Sequence, residues 1–292
     1  MEVAKTIAEI RRFATLAHKQ ARDIGLVPTM GALHRGHTSL IDIARQDCDR
    51  VVVSIFVNPT QFGQDEDFNK YPRPIDADLD ICEKHGVDAV FAPPVEQMYP
   101  TPNLTWVAVE KLTDPLCGRS RPGHFRGVTT VCTKLFNIVQ PHFAYFGQKD
   151  AQQAIVIKQM VADLNMPLEI VVCPIVRDDD GLAVSSRNKY LSDQERADAT
   201  SLYKGLQKAC ELIHSGVTDA QQILADLKTI IEAPPSISLE YANIVNFRTL
   251  EDLANVEGRV LIAIAARAGS TRLIDNILVD VSDQADTMGV GS

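Results

Sequence analysis

His34 and His37 stand three residues apart, with Gly36 between them, in the run Val27-Pro28-Thr29-Met30-Gly31-Ala32-Leu33-His34-Arg35-Gly36-His37. The apolar Ile24, Leu26 and Val27 lead into this run, and Leu40, Ile41, Ile43 and Ala44 follow it at helical spacing. It therefore reads as a strand-to-helix turn. At a helix start the first main-chain N–H groups lack partners and the helix dipole is positive, which favours a bound phosphate. Gly36 has no Cβ, so backbone and ligand can approach closely. Both imidazoles can donate hydrogen bonds to phosphate oxygens whose charge grows as a bond to phosphorus breaks. The chemistry implied is a nucleoside triphosphate site that works at the α-phosphorus rather than the γ-phosphorus.

Other readings of the turn are weaker. No G-x-x-x-x-G-K-[ST] sequence is present, which excludes a Walker loop. No G-x-G-x-x-G is present either, which weakens an NAD or FAD reading. Zinc would need further ligands at suitable spacing, and the chain has no C-x-x-C. A solvated histidine pair at a helix start would explain the spacing but not the motifs described below. What remains is the H-x-G-H signature of the nucleotidylyltransferase and class I synthetase superfamily.

The elements that must position this turn show in the periodicity. Arg50–Val57 is a β-branched strand ending at Asn58-Pro59, Asp76–His85 is helical, and Asp88–Ala92 is a short strand stopped by Pro93-Pro94. Between Gly123 and Gln140 the apolar Val128, Val131, Cys132, Leu135, Phe136 and Val139 recur at helical spacing. A strand (Phe143–Phe146), a helix (Gln152–Leu164) and a strand (Leu168–Val172) follow. This alternation predicts a doubly wound parallel α/β sheet, Rossmann-like, over residues 1–177. Beyond Asp178-Asp179-Asp180-Gly181, helices at about Asp193–Ser215 and Thr218–Glu232 precede strands at Ser238–Val245, Arg259–Arg267 and Thr271–Val279. They predict a smaller α+β domain over 178–285 that covers the site, with residues 286–292 as a frayed tail. The last stretch, Asp283–Ser292, has no apolar periodicity.

Composition bounds the partners. A length of 292 residues suits one large domain or two smaller ones, and 45% hydrophobic with 23% charged residues suits a well-cored globular protein. A net charge of −9 disfavours nucleic-acid or anionic-membrane binding, which call for basic surfaces. The start, MEVAKTIAEIRRFATLAHKQ, reads as an amphipathic helix rather than a signal peptide, and no apolar stretch reaches membrane-spanning length. Cys48, Cys82, Cys117, Cys132, Cys173 and Cys210 are scattered, mostly in apolar runs, as expected of reduced thiols in a cytoplasmic protein.

Four further clusters fall at expected strand ends or turns, where open parallel sheets place their ligands. They are Asn58-Pro59-Thr60-Gln61-Phe62, Gly147-Gln148-Lys149-Asp150, Arg121-Pro122-Gly123-His124-Phe125 and Ser185-Ser186-Arg187-Asn188. With these laid out, the chain resembles the pantoate–β-alanine ligase family, which has the HIGH-type nucleotidyltransferase fold. The matching motifs are PTMGALHRGH (28–37), SIFVNPTQF (54–62), YPR (71–73), RPGHFRGV (121–128), FGQKD with Gln153 (146–153) and VSSRN (184–188).

The resemblance implies ATP-dependent condensation of (R)-pantoate with β-alanine through a pantoyl adenylate, giving pantothenate, AMP and pyrophosphate. It implies that Met30, Gly31, Ala32, Leu33, His34, Arg35, Gly36 and His37 cradle ATP. His37 becomes the proton donor or transition-state stabiliser, aided by His34 and Lys149 and by Mg²⁺ on the triphosphate. Gly147, Gln148, Lys149, Asp150 and Val176 would line the ribose and adenine site, and Val184, Ser185, Ser186 and Arg187 would grip the triphosphate. Gln61 would bind pantoate and contact β-alanine, Gln153 would hold pantoate's polar end, and Asn58, Tyr71, Arg121 and His124 would complete the pocket. Within Pro74-Ile75-Asp76-Ala77-Asp78-Leu79-Asp80, Asp76, Asp78 and Asp80 are the carboxylates that could help with Mg²⁺, and Asp78 is the expected ligand. The family also implies a homodimer. Val184 stands where many relatives carry Met, and Gln148 where Glu is frequent.

Two other classes stay in view. A plain nucleotidylyltransferase would keep the adenylate in its product and consume no β-alanine. A non-catalytic nucleotide sensor or RNA-binding protein could share the fold, but the intact His34, His37 and Lys149 set and the acidic net charge speak against it.

Overall fold

Along β2 the side chains alternate between two buried faces, so the strand needs helical cover on both sides. Ile24 and Leu26 join one apolar cluster with Val52, Ala144 and Phe146, and with Ile10, Val128 and Ile157 from three helices. Val27 joins another with Val51, Val53, Tyr145, Leu40 and Cys82. These positions come from a computed structural model that describes residues 1–63, 66–100 and 103–281. The chain divides into two compact units, Met1–Asp114 with Gly118–Val176, and Pro115–Cys117 with the chain from Arg177 onward.

In the first unit the order is β1 (Glu2–Ala4), α1 (Ile7–Lys19), β2 (Ile24–Thr29), α2 (Arg35–Asp47), β3 (Arg50–Ile55), α3 (Ile75–Lys84) and β4 (Ala89–Phe91). Two short helices, α4 (Val95–Met98) and α5 (Cys117–Ser120), lead to α6 (His124–Val139), β5 (Phe143–Gly147), α7 (Ala151–Asp163) and β6 (Glu169–Cys173). The six strands pair in parallel in the order β1-β4-β3-β2-β5-β6. From β2 the chain steps outward through β3 to β4, then returns to place β5 on the other side of β2. Strand order therefore reverses between β2 and β5, the position where doubly wound sheets open a crevice at the carboxyl ends of their strands.

The second unit holds α8 (Asp193–Asp198), α9 (Ser201–His214), α10 (Ala220–Ile231) and the antiparallel sheet β7 (Ile237–Asn246), β8 (Arg259–Ala268) and β9 (Thr271–Asp280). Its core joins Leu202, Leu206, Ile223 and Leu227 to Ile244, Ile262 and Ile264. The parallel α/β sheet and the smaller α+β part are thus both present.

Two elements differ from expectation. Residues 2–4 form a strand parallel to β4, and the helix starts only after Thr6, whose side chain and that of Glu9 form a capping box. The helix expected over 193–215 breaks at Ala199–Thr200, where the Thr200 N–H and hydroxyl both bond to the Ala197 carbonyl and tighten the turn. The expected frayed stretch, Asp283–Ser292, lies outside the described residues. All six cysteines are free thiols, five buried and Cys210 half-buried. No helix among the described residues is long and apolar enough to cross a membrane.

Candidate active site

β2 ends at Thr29, whose hydroxyl donates to the Ser54 carbonyl at 2.7 Å and accepts the Gly31 N–H at 3.1 Å. The chain then turns through two successive left-handed residues, Gly31 at φ +83° and Ala32 at φ +50°. Helix α2 starts at Arg35 with His34 as its cap. Nδ1 of His34 accepts the Gly36 N–H at 3.1 Å, and Nδ1 of His37 accepts the His34 N–H at 3.3 Å. The two rings lie against each other at a tilt of 31°, with centroids 4.0 Å apart.

A ring nitrogen that accepts a hydrogen bond carries no proton, so each neutral imidazole keeps its proton on Nε2. Burial, the His34 ring and the Lys149 ammonium push the His37 pKa down to about 3. His37 is therefore neutral at pH 7 and offers an Nε2–H as a hydrogen-bond donor. Lys149 comes from the short turn Gln148–Asp150 directly after β5. The strand reversal thus brings the two motifs to adjacent strand ends, although they are more than 100 residues apart in sequence.

The next cluster holds Gln61. Asn58, 1% exposed, caps the turn Pro59–Gln61 through Oδ1, which accepts from the Thr60 N–H and hydroxyl. Its Nδ2 donates to Gln61 Oε1 at 3.0 Å and to the Gly127 carbonyl at 3.1 Å. Gln61 Nε2 in turn donates to Met30 Sδ at 3.2 Å, which ties this turn to the end of β2. A Cβ on Gly127 would lie 2.7 Å from Gln61 Cα, so only glycine lets α6 pack this close.

Arg121 and His124 clamp the same turn from the other side. Arg121 makes a two-pronged ion pair with Glu66 at 2.7 and 2.6 Å, and its Nη1 donates to His124 Nε2 at 3.1 Å. An arginine is always the donor, so the His124 proton sits on Nδ1 and is donated to the Gln61 carbonyl at 2.8 Å. Burial, followed by the Arg121 charge, lowers the His124 pKa to about 4. Asn58, Arg121 and His124, expected as pocket lining, are thus bonded to Gln61 itself. Tyr71 is buried edge-on to Phe62. Gln153 is half-buried in the first turn of α7, beside the buried Gln152, whose amide donates to the Leu112 carbonyl.

Asp78, expected beside a metal, has Oδ2 on the Ala32 N–H at 2.9 Å and Oδ1 on the Leu33 N–H at 2.8 Å. Among the described residues no group of three His, Cys, Asp or Glu side chains comes together as a metal cage. Val176 is half-buried at the end of the first unit. Val184, Ser185, Ser186 and Arg187 belong to the second unit, where Ser185 Oγ accepts the Arg187 N–H at 3.3 Å and caps the turn Ser186–Tyr190. Sequence reasoning missed Glu66 and Gly127. Glu66 carries no local signal, but a glycine inside the apolar pattern of α6 marks a close backbone approach.

Comparison with known proteins shows the family. The profile of the family described as Pantoate-beta-alanine ligase matches residues 2–278. Pantothenate synthetase of Acetivibrio thermocellus is 56% identical over 281 residues, covering 96% of this chain and 100% of that one. The Moorella thermoacetica pantothenate synthetase is 54% identical over 283 residues, covering 97% and 100%. The crystal structure of pantothenate synthetase from Thermus thermophilus superimposes with a TM-score of 0.90 at 43% identity, covering 96% of this chain and 99% of that one. The pantoate–β-alanine ligase of Francisella tularensis, crystallised with β,γ-ATP and β-alanine, does so with a TM-score of 0.78 at 36% identity, covering 95% and 97%. A sequence match across nearly the whole chain and a shared fold lead to one assignment: this chain belongs to the pantoate–β-alanine ligase family of carbon–nitrogen ligases.

Proposed function

We propose that the protein condenses (R)-pantoate with β-alanine in two steps, forming pantoyl adenylate and pyrophosphate from ATP and then pantothenate and AMP. The observation that carries this reading is the paired tautomer of His34 and His37, each with Nδ1 on a main-chain N–H and its proton on Nε2. The pantoate carboxylate is ionised at pH 7 and needs no base to attack the α-phosphorus. It needs alignment and donors aimed where charge develops as pyrophosphate leaves. Neutral His34 and His37 supply uncharged donors, and Lys149 supplies a positive one. With a pKa of about 3, His37 acts as a hydrogen-bond donor rather than a proton donor. Mg²⁺ enters as part of the MgATP substrate, where it shields the triphosphate charge.

In the second step the β-alanine amine, with a pKa of about 10, must lose a proton before it attacks the acyl carbon. His37 Nε2 already carries a proton, so His37 is not that base. Gln61, with its carbonyl held by His124 and its amide by Asn58, is assigned to pantoate and β-alanine, and Gln153 to pantoate. Met30 to His37, Gly147 to Asp150 and Val176 are assigned to ATP, and Val184 to Arg187 to its triphosphate. We further assign the enzyme to the cytoplasm as a homodimer, consistent with six free thiols and with the exposed Leu104 and Trp106. Light scattering tests the dimer.

The chemistry is tested by incubating the protein with MgATP and pantoate, with and without β-alanine. One pyrophosphate per enzyme without β-alanine, and stoichiometric AMP, pyrophosphate and pantothenate with it, are expected. ADP in place of AMP would contradict the proposal, and product formation without β-alanine consumption would favour a plain nucleotidylyltransferase.

A further inference from the structure

Asp78 is 1% exposed on the first turn of α3, yet its carboxylate reaches across to the turn after β2. Its two oxygens take the successive N–H groups of Ala32 and Leu33, at 2.9 and 2.8 Å. Successive N–H groups in a left-handed turn form a concave nest that binds an anion, and here a carboxylate of the same chain fills it. The turn has a matching shape. A Cβ on Gly31 would sit 2.8 Å from Asp78 Oδ2, so only glycine admits the carboxylate at that distance. Gly31 and Ala32 both hold φ values of the left-handed region, +83° and +50°, which an alanine rarely adopts unless its surroundings impose it.

The residue after this nest is His34. Its extended φ of −145° starts α2 and aims both the main-chain N–H that caps His37 and the ring that caps Gly36. We propose that Asp78 is the positioning residue of the H-x-G-H turn. By holding Ala32 and Leu33 it sets the direction of His34, and through His34 it sets the tautomer and aim of His37. It acts through these residues and touches no substrate. With a main-chain N–H on each oxygen, Asp78 is assigned here as an anchor rather than as a Mg²⁺ ligand. The proposal rests on the adenylate reading for its rate effect, but not for its effect on the histidine rings.

The test is Asp78→Asn, which keeps the shape but turns an N–H donor toward one of the two main-chain donors. Two quantities are measured on the folded full chain. One is the single-turnover rate of pyrophosphate release with MgATP and pantoate alone, at ordinary and at excess Mg²⁺. The other is the ¹⁵N spectrum of the histidine rings. A rate loss of roughly 10- to 100-fold is expected, the scale of a small misplacement of catalytic groups. Excess Mg²⁺ should not restore it, and the His34 and His37 nitrogens should leave the wild-type Nε2–H pattern. The KM for β-alanine should change little. An unchanged rate, rescue by Mg²⁺, or a slow variant with wild-type ring signals would each overturn the proposal. If Asp78→Asn does not fold, Gly31→Ala, whose methyl crowds the same carboxylate, takes the same measurements. If the wild-type protein releases no pyrophosphate with pantoate alone, the adenylate reading fails, while the ring signals still judge Asp78.

Discussion

His34 and His37 cap one helix together: the His34 N–H donates to His37 Nδ1 at 3.3 Å, while His34 Nδ1 takes the Gly36 N–H at 3.1 Å. Serine and glutamate fill this reciprocal arrangement in ordinary capping boxes. With two imidazoles in those places, the same bonds that start α2 also fix both tautomers. One pair of hydrogen bonds thus caps the helix and sets the tautomers on which the proposed chemistry relies.

If His37 donates to charge that builds up as pyrophosphate leaves, His37→Ala should slow adenylate formation by about 10²–10³, the usual loss for a transition-state donor. The protein should stay folded, because the ring lies in a polar turn rather than an apolar core. Lys149→Ala should behave similarly. Gln61→Ala should harm both half-reactions through lost alignment. Rapid-quench single turnovers, with and without β-alanine, separate these cases. Normal adenylate formation by His37→Ala with failure only in amide formation would contradict the role given to His37.

The two depressed histidines make stability pH-dependent. His37 and His124 titrate at about 3 and about 4 in the folded chain, against an ordinary 6.5. Between pH 6.5 and about 4 the unfolded chain therefore binds more protons than the folded one. Stability is full above pH 6.5 and falls as pH drops through this window, by at most about 1.4 kcal/mol per pH unit for each ring. Thermal melting of wild type, His37→Asn and His124→Asn across pH 4–7.5 checks the sign, and each variant should flatten the dependence. Equal slopes in all three would show that neither ring is held neutral.

Gly127→Ala should act on pantoate and not on ATP. Its methyl would push α6 away from the Thr60–Gln61 backbone and from the amide network of Asn58. Overpacking of this kind costs about 1–3 kcal/mol. The KM for pantoate should rise several-fold, the KM for ATP should change little, and the melting temperature should fall. A KM rise confined to ATP would place Gln61 elsewhere in the reaction.

Much of this was legible in the residues. The strand, turn and helix around His34 were readable because apolar spacing changes from strand to helix across Gly31 and Gly36. Three-residue β1 was not, because Val3 and Ala4 continue the apolar spacing of α1 and only the pairing with β4 separates them. The residue types at the site were visible, but their partners were not. Asn58, Arg121 and His124 read equally well as ligands of a substrate or of a neighbouring main chain, and the structure bonds them to Gln61. Asp78 illustrates the same limit. An acidic run suggests a cation, and no spacing rule announces that the buried carboxylate also takes two main-chain N–H groups. Tautomers depend on hydrogen bonds that no spacing rule encodes.

Oxygen transfer reports whether pantoate's carboxylate attacks the α-phosphorus. Pantoate labelled with ¹⁸O in its carboxylate is turned over with MgATP and β-alanine, and the products are weighed by mass spectrometry. Attack through an adenylate leaves one labelled oxygen in the phosphate of AMP and one in the amide carbonyl of pantothenate. Unlabelled AMP, or label in inorganic phosphate or ADP, would contradict it.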